Sequence, residues 1–104
     1  MPDISISIVI PCRNEAENLP LLLDEIEAAM AGRAFEVIVV NDGSTDDTAS
    51  VLAAQTAIRA FPLRQLRHEK SAGQSLSLRS GAWAARGEIV ATIDGDGQND
   101  PQYI

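Results

Sequence analysis

Phe35-Glu36-Val37-Ile38-Val39-Val40-Asn41-Asp42-Gly43-Ser44-Thr45-Asp46-Asp47 is the stretch that decides the fold. Its first six residues are apolar except for Glu36 and are rich in β-branched side chains, so they read as a strand. Near-continuous hydrophobicity means that both faces of the strand are covered, which is the condition of a parallel sheet. Asn41-Asp42-Gly43 ends the run. Ser44, with Asp47 three residues on, has the capping-box form and opens a helix expected through about Ala60. A buried strand that turns directly into a helix is one βα unit.

The same unit recurs on either side. Ile4 to Ile10 alternates Ile and Ser before Val9 and Ile10 and reads as a first strand that Pro11 stops. Asn14 or Asn18 can cap the next helix, whose Leu19, Leu22, Leu23, Ile26 and Met30 follow the 3.6 period, with Pro20 in its first turn and Gly32 ending it. On the helix after Asp47, Val51, Leu52 and Ile58 are expected to face the sheet. A short strand around Leu63 to Arg67 follows, then a loop and N-cap at Ser71 to Ser75, then a helix carrying Leu76, Ala82 and Trp83 to Gly87. Residues 88 to 93 have the composition of a further buried strand. The expected fold is α/β, a mostly parallel sheet built from alternating βα units with right-handed crossovers.

In such sheets ligands bind outside the carboxyl ends of the strands. The polar clusters fall there: Arg13-Asn14-Glu15, Asn41-Asp42-Gly43, His68-Glu69, and the acidic run Asp94-Gly95-Asp96-Gly97-Gln98-Asn99-Asp100. Asp94 and Asp96 can turn both carboxylates toward one point, where their repulsion calls for a cation. Oxygen-only ligands suit Mg²⁺ or Mn²⁺, with open positions left for waters or phosphates. A solvated acidic turn is the plain alternative. An EF-hand fails on register, because Asn99 stands where its glycine belongs. A phosphatase of the D-x-D kind carries that motif on its first strand, whereas here it follows the fourth. No G-x-G-x-x-G follows the first strand and no Walker loop is present, so a phosphate would have to be held through metal.

The 104 residues make one domain, and 45% of them are apolar, enough for a core. A net charge of −7 with no basic run argues against a nucleic-acid surface. Cys12 is the only cysteine, which rules out an internal disulfide and points to a reducing, cytoplasmic setting. It reads as a packed thiol rather than a nucleophile. The last residues, Pro101 to Ile104, follow closely on the acidic run, so the chain is read as the N-terminal portion of a longer protein.

The residues resemble the family 2 glycosyltransferases of the GT-A fold. The resemblance is carried by Ser7 to Glu15, by Glu36 to Asp46, by Gly73 through Arg79-Ser80-Gly81, and by Asp94-Gly95-Asp96. Asp94-x-Asp96-x-Gln98-Asn99-x-Pro101 is most similar to the dolichyl-phosphate mannosyltransferase and polyprenyl-phosphate glycosyltransferase branch. The resemblance implies a Rossmann-like, nucleotide-binding half of a GT-A domain over residues 1–104. It also implies a GDP- or UDP-sugar donor of mannose or glucose type and a lipid-phosphate acceptor at the cytoplasmic face of a membrane.

By position, it implies that Pro11 and Glu15 line the base and ribose pocket and that Asp42 accepts a hydrogen bond from the base. Gly73 and Arg79 would lie near the diphosphate. Asp94, Asp96 and Gln98 would hold the metal, with Asp94 also close to the donor. The acceptor half is expected to lie beyond this chain, so the isolated piece is expected to be inactive and to self-associate through open sheet edges. A metal-dependent nucleotidyl- or phosphotransferase and a non-catalytic nucleotide-sugar-binding module are the alternatives.

Overall fold

The computed structural model describes residues 4–93. Among these, strands and helices alternate as β1 (Ile6–Cys12), α1 (Leu19–Ala29), β2 (Phe35–Asp42), α2 (Thr48–Ile58), β3 (Leu63–His68), α3 (Gln74–Ala84) and β4 (Ile89–Thr92). Every pairing is parallel, and the strand order is β3-β2-β1-β4. β2 is buried at all its positions, as its unbroken hydrophobicity requires. The chain steps from β1 to β2 on one side and later returns past β1 to β4 on the other. Winding therefore reverses at β1, which opens a crevice beyond the carboxyl ends of the strands.

Successive strand residues point to opposite faces, and the two faces differ. Ile8, Ile10, Val37 and Val39 pack with Leu19, Leu22, Leu23 and Ile26 of α1 and Leu52 of α2 in the larger core. The other face is thinner. Val9, Ile38 and Val40 meet Leu66, Leu78, Ala84 and Ala85 under α3. Gly81 lets α3 approach: a Cβ there would lie 2.2 Å from Val9 Cγ1.

At the amino end of this thinner face Glu36 is wholly buried. Its carboxylate accepts from Ser7 Oγ (2.6 Å), Arg64 Nη2 (2.9 Å) and the Arg86 N–H (2.7 Å). Arg64 Nη2 also donates to the Ala84 carbonyl at 2.6 Å, and the Gly87 N–H donates to Ser7 Oγ at 2.8 Å. The end of α3 is thereby tied to three strands. Burial opposes ionisation of Glu36, yet the bonds from Ser7, Arg86 and Arg64 outweigh it and hold the carboxyl below its ordinary range.

Several local expectations are corrected. β4 is not a buried strand: Ile89 is 60% exposed and Val90 43%, because among the described residues it pairs on one side only, with β1. The box at Ser44 does not form. Asp47 is the N-cap of α2, its side chain makes no capping bond, and the helix stops at Ile58, which is exposed. Asn18 caps α1 without a side-chain bond to it, and that helix ends at Ala29, leaving Gly32 in the following turn at φ +82°. On α3 the buried residues are Ser77 and Gly81, while Leu76 and Trp83 face outward and the helix ends at Ala84. On α3 the close approach to Val9 is possible only because residue 81 is a glycine.

Candidate functional site

The carboxyl ends of β2 and β3 set Asp42 opposite His68 in the parallel register. Asp42 is the last residue of its strand and is only 6% exposed, because the segment between β3 and α3 folds over it. Asp42 Oδ1 accepts from His68 Nδ1 and from the Ala72 N–H, each at 2.8 Å. Oδ2 accepts from Ser71 Oγ at 2.9 Å and from the Gly73 N–H at 3.0 Å. Burial pushes this carboxyl up, but the four donors outweigh it and keep the group ionised far below the usual carboxylate range. An ionised carboxylate only accepts, so His68 Nδ1 carries the proton in this contact. His68 Nε2 lies 3.1 Å from Ser80 Oγ, which joins the cluster to α3.

Two glycines make the cover possible. Gly43, at φ +69°, follows Asp42, and a Cβ there would stand 2.4 Å from the Ser71 backbone nitrogen. Gly73, at φ +95°, turns the chain into α3, and its carbonyl accepts from the N–H and the hydroxyl of Ser77.

Beside this cluster, the end of β1 is knitted to the loop after β2. Asn14 takes the left-handed conformation at φ +55°, which its short polar side chain tolerates. Its Oδ1 accepts from the N–H groups of Thr45 (2.8 Å) and Asp46 (3.3 Å), while its own N–H donates to Ser44 Oγ. Asn14 therefore braces the turn before α2 and does not cap α1. The Glu15 N–H donates to Thr48 Oγ1, and Glu15 Oε2 accepts from Asn18 Nδ2 at 2.8 Å. Asp46 accepts from both the hydroxyl and the N–H of Thr48, and the hydroxyl bond is the main cause of its depressed pKa. Cys12 is buried under these acids. Burial, reinforced by Glu15, Asp46 and Asp42, pushes its thiol up to about 12.

Of the residues nominated from the sequence, Asp42 and Gly73 are in direct contact. Pro11 sits on the adjoining strand opposite Val40, and Glu15 stands half-buried just beyond β1. Arg79 lies on an exposed position of α3. Asp94, Asp96 and Gln98 lie outside the described residues. The chain reaches them from Ile93, whose N–H donates to the Val9 carbonyl at 3.1 Å and so keeps the β1–β4 ladder running toward the same end. Among the described residues no three His, Cys, Asp or Glu side chains gather as metal ligands.

His68, Ser71, Ser80 and Asn14 were not nominated individually. The signal for His68 was its place at the end of a strand paired with β2, and for Asn14 its residue type in a strand-end turn. A cleft of about 1100 Å³, lined in part by Met30, Phe35, Phe61 and Arg86, lies at the opposite, amino ends of β2 and β3. The Asp42 cluster lies at the carboxyl ends, away from this cleft.

A parallel sheet with a winding reversal defines an α/β domain whose ligand crevice lies at the carboxyl ends of its strands. The family model for glycosyl transferase family 2 matches residues 7–104, and the chain belongs to that family. It is 38% identical over 101 residues to the undecaprenyl-phosphate 4-deoxy-4-formamido-L-arabinose transferase of Pseudomonas savastanoi pv. phaseolicola, covering 95% of this chain and 30% of that protein. It is 35% identical over 103 residues to the dodecaprenyl-phosphate galacturonate synthase of Rhizobium johnstonii, covering 97% and 30%. The chain thus spans about 30% of the length of these curated relatives.

Among solved structures, a mannosyltransferase from Pyrobaculum calidifontis in complex with GDP-Man and Mn²⁺ superposes with a TM-score of 0.82 at 26% identity, over 92% of this chain and 28% of that one. Glucosyl-3-phosphoglycerate synthase from Mycobacterium tuberculosis, in complex with UDP, gives 0.76 at 30% identity, over 96% and 37%. The fold is that of the GT-A glycosyltransferases.

Proposed function

We propose that this chain is the donor-binding part of a glycosyltransferase that passes a sugar from a UDP- or GDP-sugar to a polyprenyl or dolichyl phosphate with inversion. The observation that carries the reading is the 38% identity, across nearly the whole chain, to a transferase named for an undecaprenyl-phosphate acceptor. The sugar is mannose or glucose, or one of the modified sugars in the relatives' names. In this reading the base lies against Pro11 and Glu15 with an N–H directed at Asp42, and the diphosphate runs toward Gly73 and Arg79. A guanidinium on an exposed helical position is free to take phosphate oxygens bidentately.

The carboxylates Asp94 and Asp96 with the Gln98 amide form an all-oxygen donor set that fits Mg²⁺ or Mn²⁺. The chemistry a divalent cation supplies in such a place is neutralisation of the leaving diphosphate. A lipid-phosphate acceptor is already anionic and calls for little general-base help. It would put the reaction at the cytoplasmic face of a membrane. No helix among the described residues is long and apolar enough to cross one.

Calorimetry tests the donor site. UDP or GDP should bind with Mn²⁺ present and much more weakly with chelator, and Asp96→Asn should remove the metal-dependent part while the thermal melt stays put. Equal binding with and without metal would refute the metal assignment. Transfer of labelled sugar to polyprenyl phosphate by the protein in a membrane preparation, abolished by Asp96→Asn, tests the reaction itself.

A further inference from the structure

The cluster around Asp42 is complete without a ligand. A carboxylate offers about four lone-pair sites, and here His68 Nδ1, the Ala72 N–H, Ser71 Oγ and the Gly73 N–H fill them all. A base N–H directed at Asp42 therefore has no vacant acceptor to meet. One of the four donors has to leave.

The four are not equally held. His68 is opposite Asp42 in the strand register and is gripped on its far nitrogen by Ser80, so it stays with Oδ1. The Ala72 and Gly73 N–H groups belong to the backbone of the turn into α3, and Gly73 is anchored further through its carbonyl to Ser77. Ser71 is an exposed residue whose hydroxyl rotates freely, and leaving Oδ2 it passes straight into water. Its departure costs least.

We infer that Ser71 Oγ is a built-in stand-in for the donor's base: it occupies Asp42 Oδ2 in the empty protein and is displaced when a nucleoside diphosphate binds, while His68 keeps Oδ1 and with it the aim of the carboxylate. The stand-in keeps a buried charge satisfied between turnovers, since an unpaired one would be costly. It also lowers affinity for every ligand that carries a base, and for none that lacks one. This inference rests on the donor-site reading above and adds a residue to it that acts against binding.

The experiment is calorimetry with UDP, GDP and inorganic diphosphate, each with Mn²⁺, on the wild-type protein, Ser71→Ala, Ser71→Thr and Asp42→Asn. Ser71→Ala is expected to bind UDP or GDP about three- to tenfold more tightly, the net worth of one ordinary solvent-exposed hydrogen bond. Its affinity for inorganic diphosphate should equal that of wild type. Ser71→Thr restores the hydroxyl and should return to wild-type affinity, which a mere packing change would not do. Thermal melts confirm that both variants fold.

If Ser71→Ala binds the nucleotides no better than wild type while Asp42→Asn loses them, the stand-in is refuted and the donor site survives. A gain that extends equally to inorganic diphosphate also refutes it, because the effect is then not at the base. If wild-type protein binds neither nucleotide with Mn²⁺, the donor-site reading itself falls, and this inference with it.

Discussion

Asp42 and His68 face each other across β2 and β3, with His68 Nδ1 2.8 Å from Asp42 Oδ1 and both at the carboxyl ends of their strands. The pair comes from register alone: a strand one residue out of step would turn His68 to the other face. It also couples the proposed base partner to α3 through Ser80.

Asp42→Asn puts an amide N–H₂ against two of the donors, those of Ser71 and Gly73 if it takes the Oδ2 place. It also removes the charge that held all four of them under the strap of chain between β3 and α3. We expect a loss of about 1–3 kcal/mol in folding stability, read from urea midpoints. In the same variant, UDP or GDP affinity should fall while inorganic diphosphate with Mn²⁺ binds as before. A loss of both ligands to the same degree would assign Asp42 a purely structural role.

Acid should weaken the fold through two carboxylates. Asp42 and Glu36 both have folded pKa values below their unfolded ones. Their contribution is therefore fully present above the ordinary carboxylate range and is lost as pH falls through that range toward the folded values. Thermal midpoints from pH 7 to pH 3 should drop in wild type, and the drop should be shallower in Asp42→Asn and Glu36→Gln. A flat wild-type profile would contradict the geometry of both sites.

Gly81→Ala should destabilise by about 1–3 kcal/mol, the cost of overpacking, since its Cβ would fall 2.2 Å from Val9 Cγ1. Val9→Ala in the same chain frees that space, so the double variant should lose less than the sum of the singles. Additive losses in a double-mutant cycle would mean that α3 does not rest on Val9.

Cys12 should resist a thiol reagent at neutral pH in the folded protein and react at once in denaturant. Its thiol is buried and pushed up to about 12, so almost none is thiolate. Rapid labelling of native protein would place the residue elsewhere.

Much of the architecture was legible because it is written in local pattern. Phe35 to Val40 announced a doubly covered strand, and the Leu19 to Ile26 spacing announced the face of α1. The strand-end turns were expected to carry the polar clusters, and Asp42 and His68 do lie at the carboxyl ends of β2 and β3. What escaped depends on contacts between residues far apart in sequence. Trp83 is apolar yet exposed, since helix period alone does not tell which stripe of α3 meets the sheet when Gly81 and Ser77 offer the closer approach, and Ile58 is exposed at the last position of α2. Asn14 and Asn18 were both read as possible caps of α1; Asn18 takes that place, while the Asn14 side-chain oxygen serves a turn some 30 positions away. Asp42 was nominated by type and place. The strap that saturates it could not be read from residues 42 and 68–73 separately.

The ties of Glu36 give the last helix an asymmetric mounting. At its C-terminal end, α3 and the residues after it are pinned to β1, β2 and β3 through Ser7, Glu36 and Arg64. Three residues before that end, Gly81 rests on Val9 with no room for a side chain. A rod held so firmly toward one end resists sliding, so α3 stays in place when the Ser71 hydroxyl leaves Asp42. The exchange of partners at Asp42 is then a local event, and the helix keeps its seat on the sheet while a ligand comes and goes.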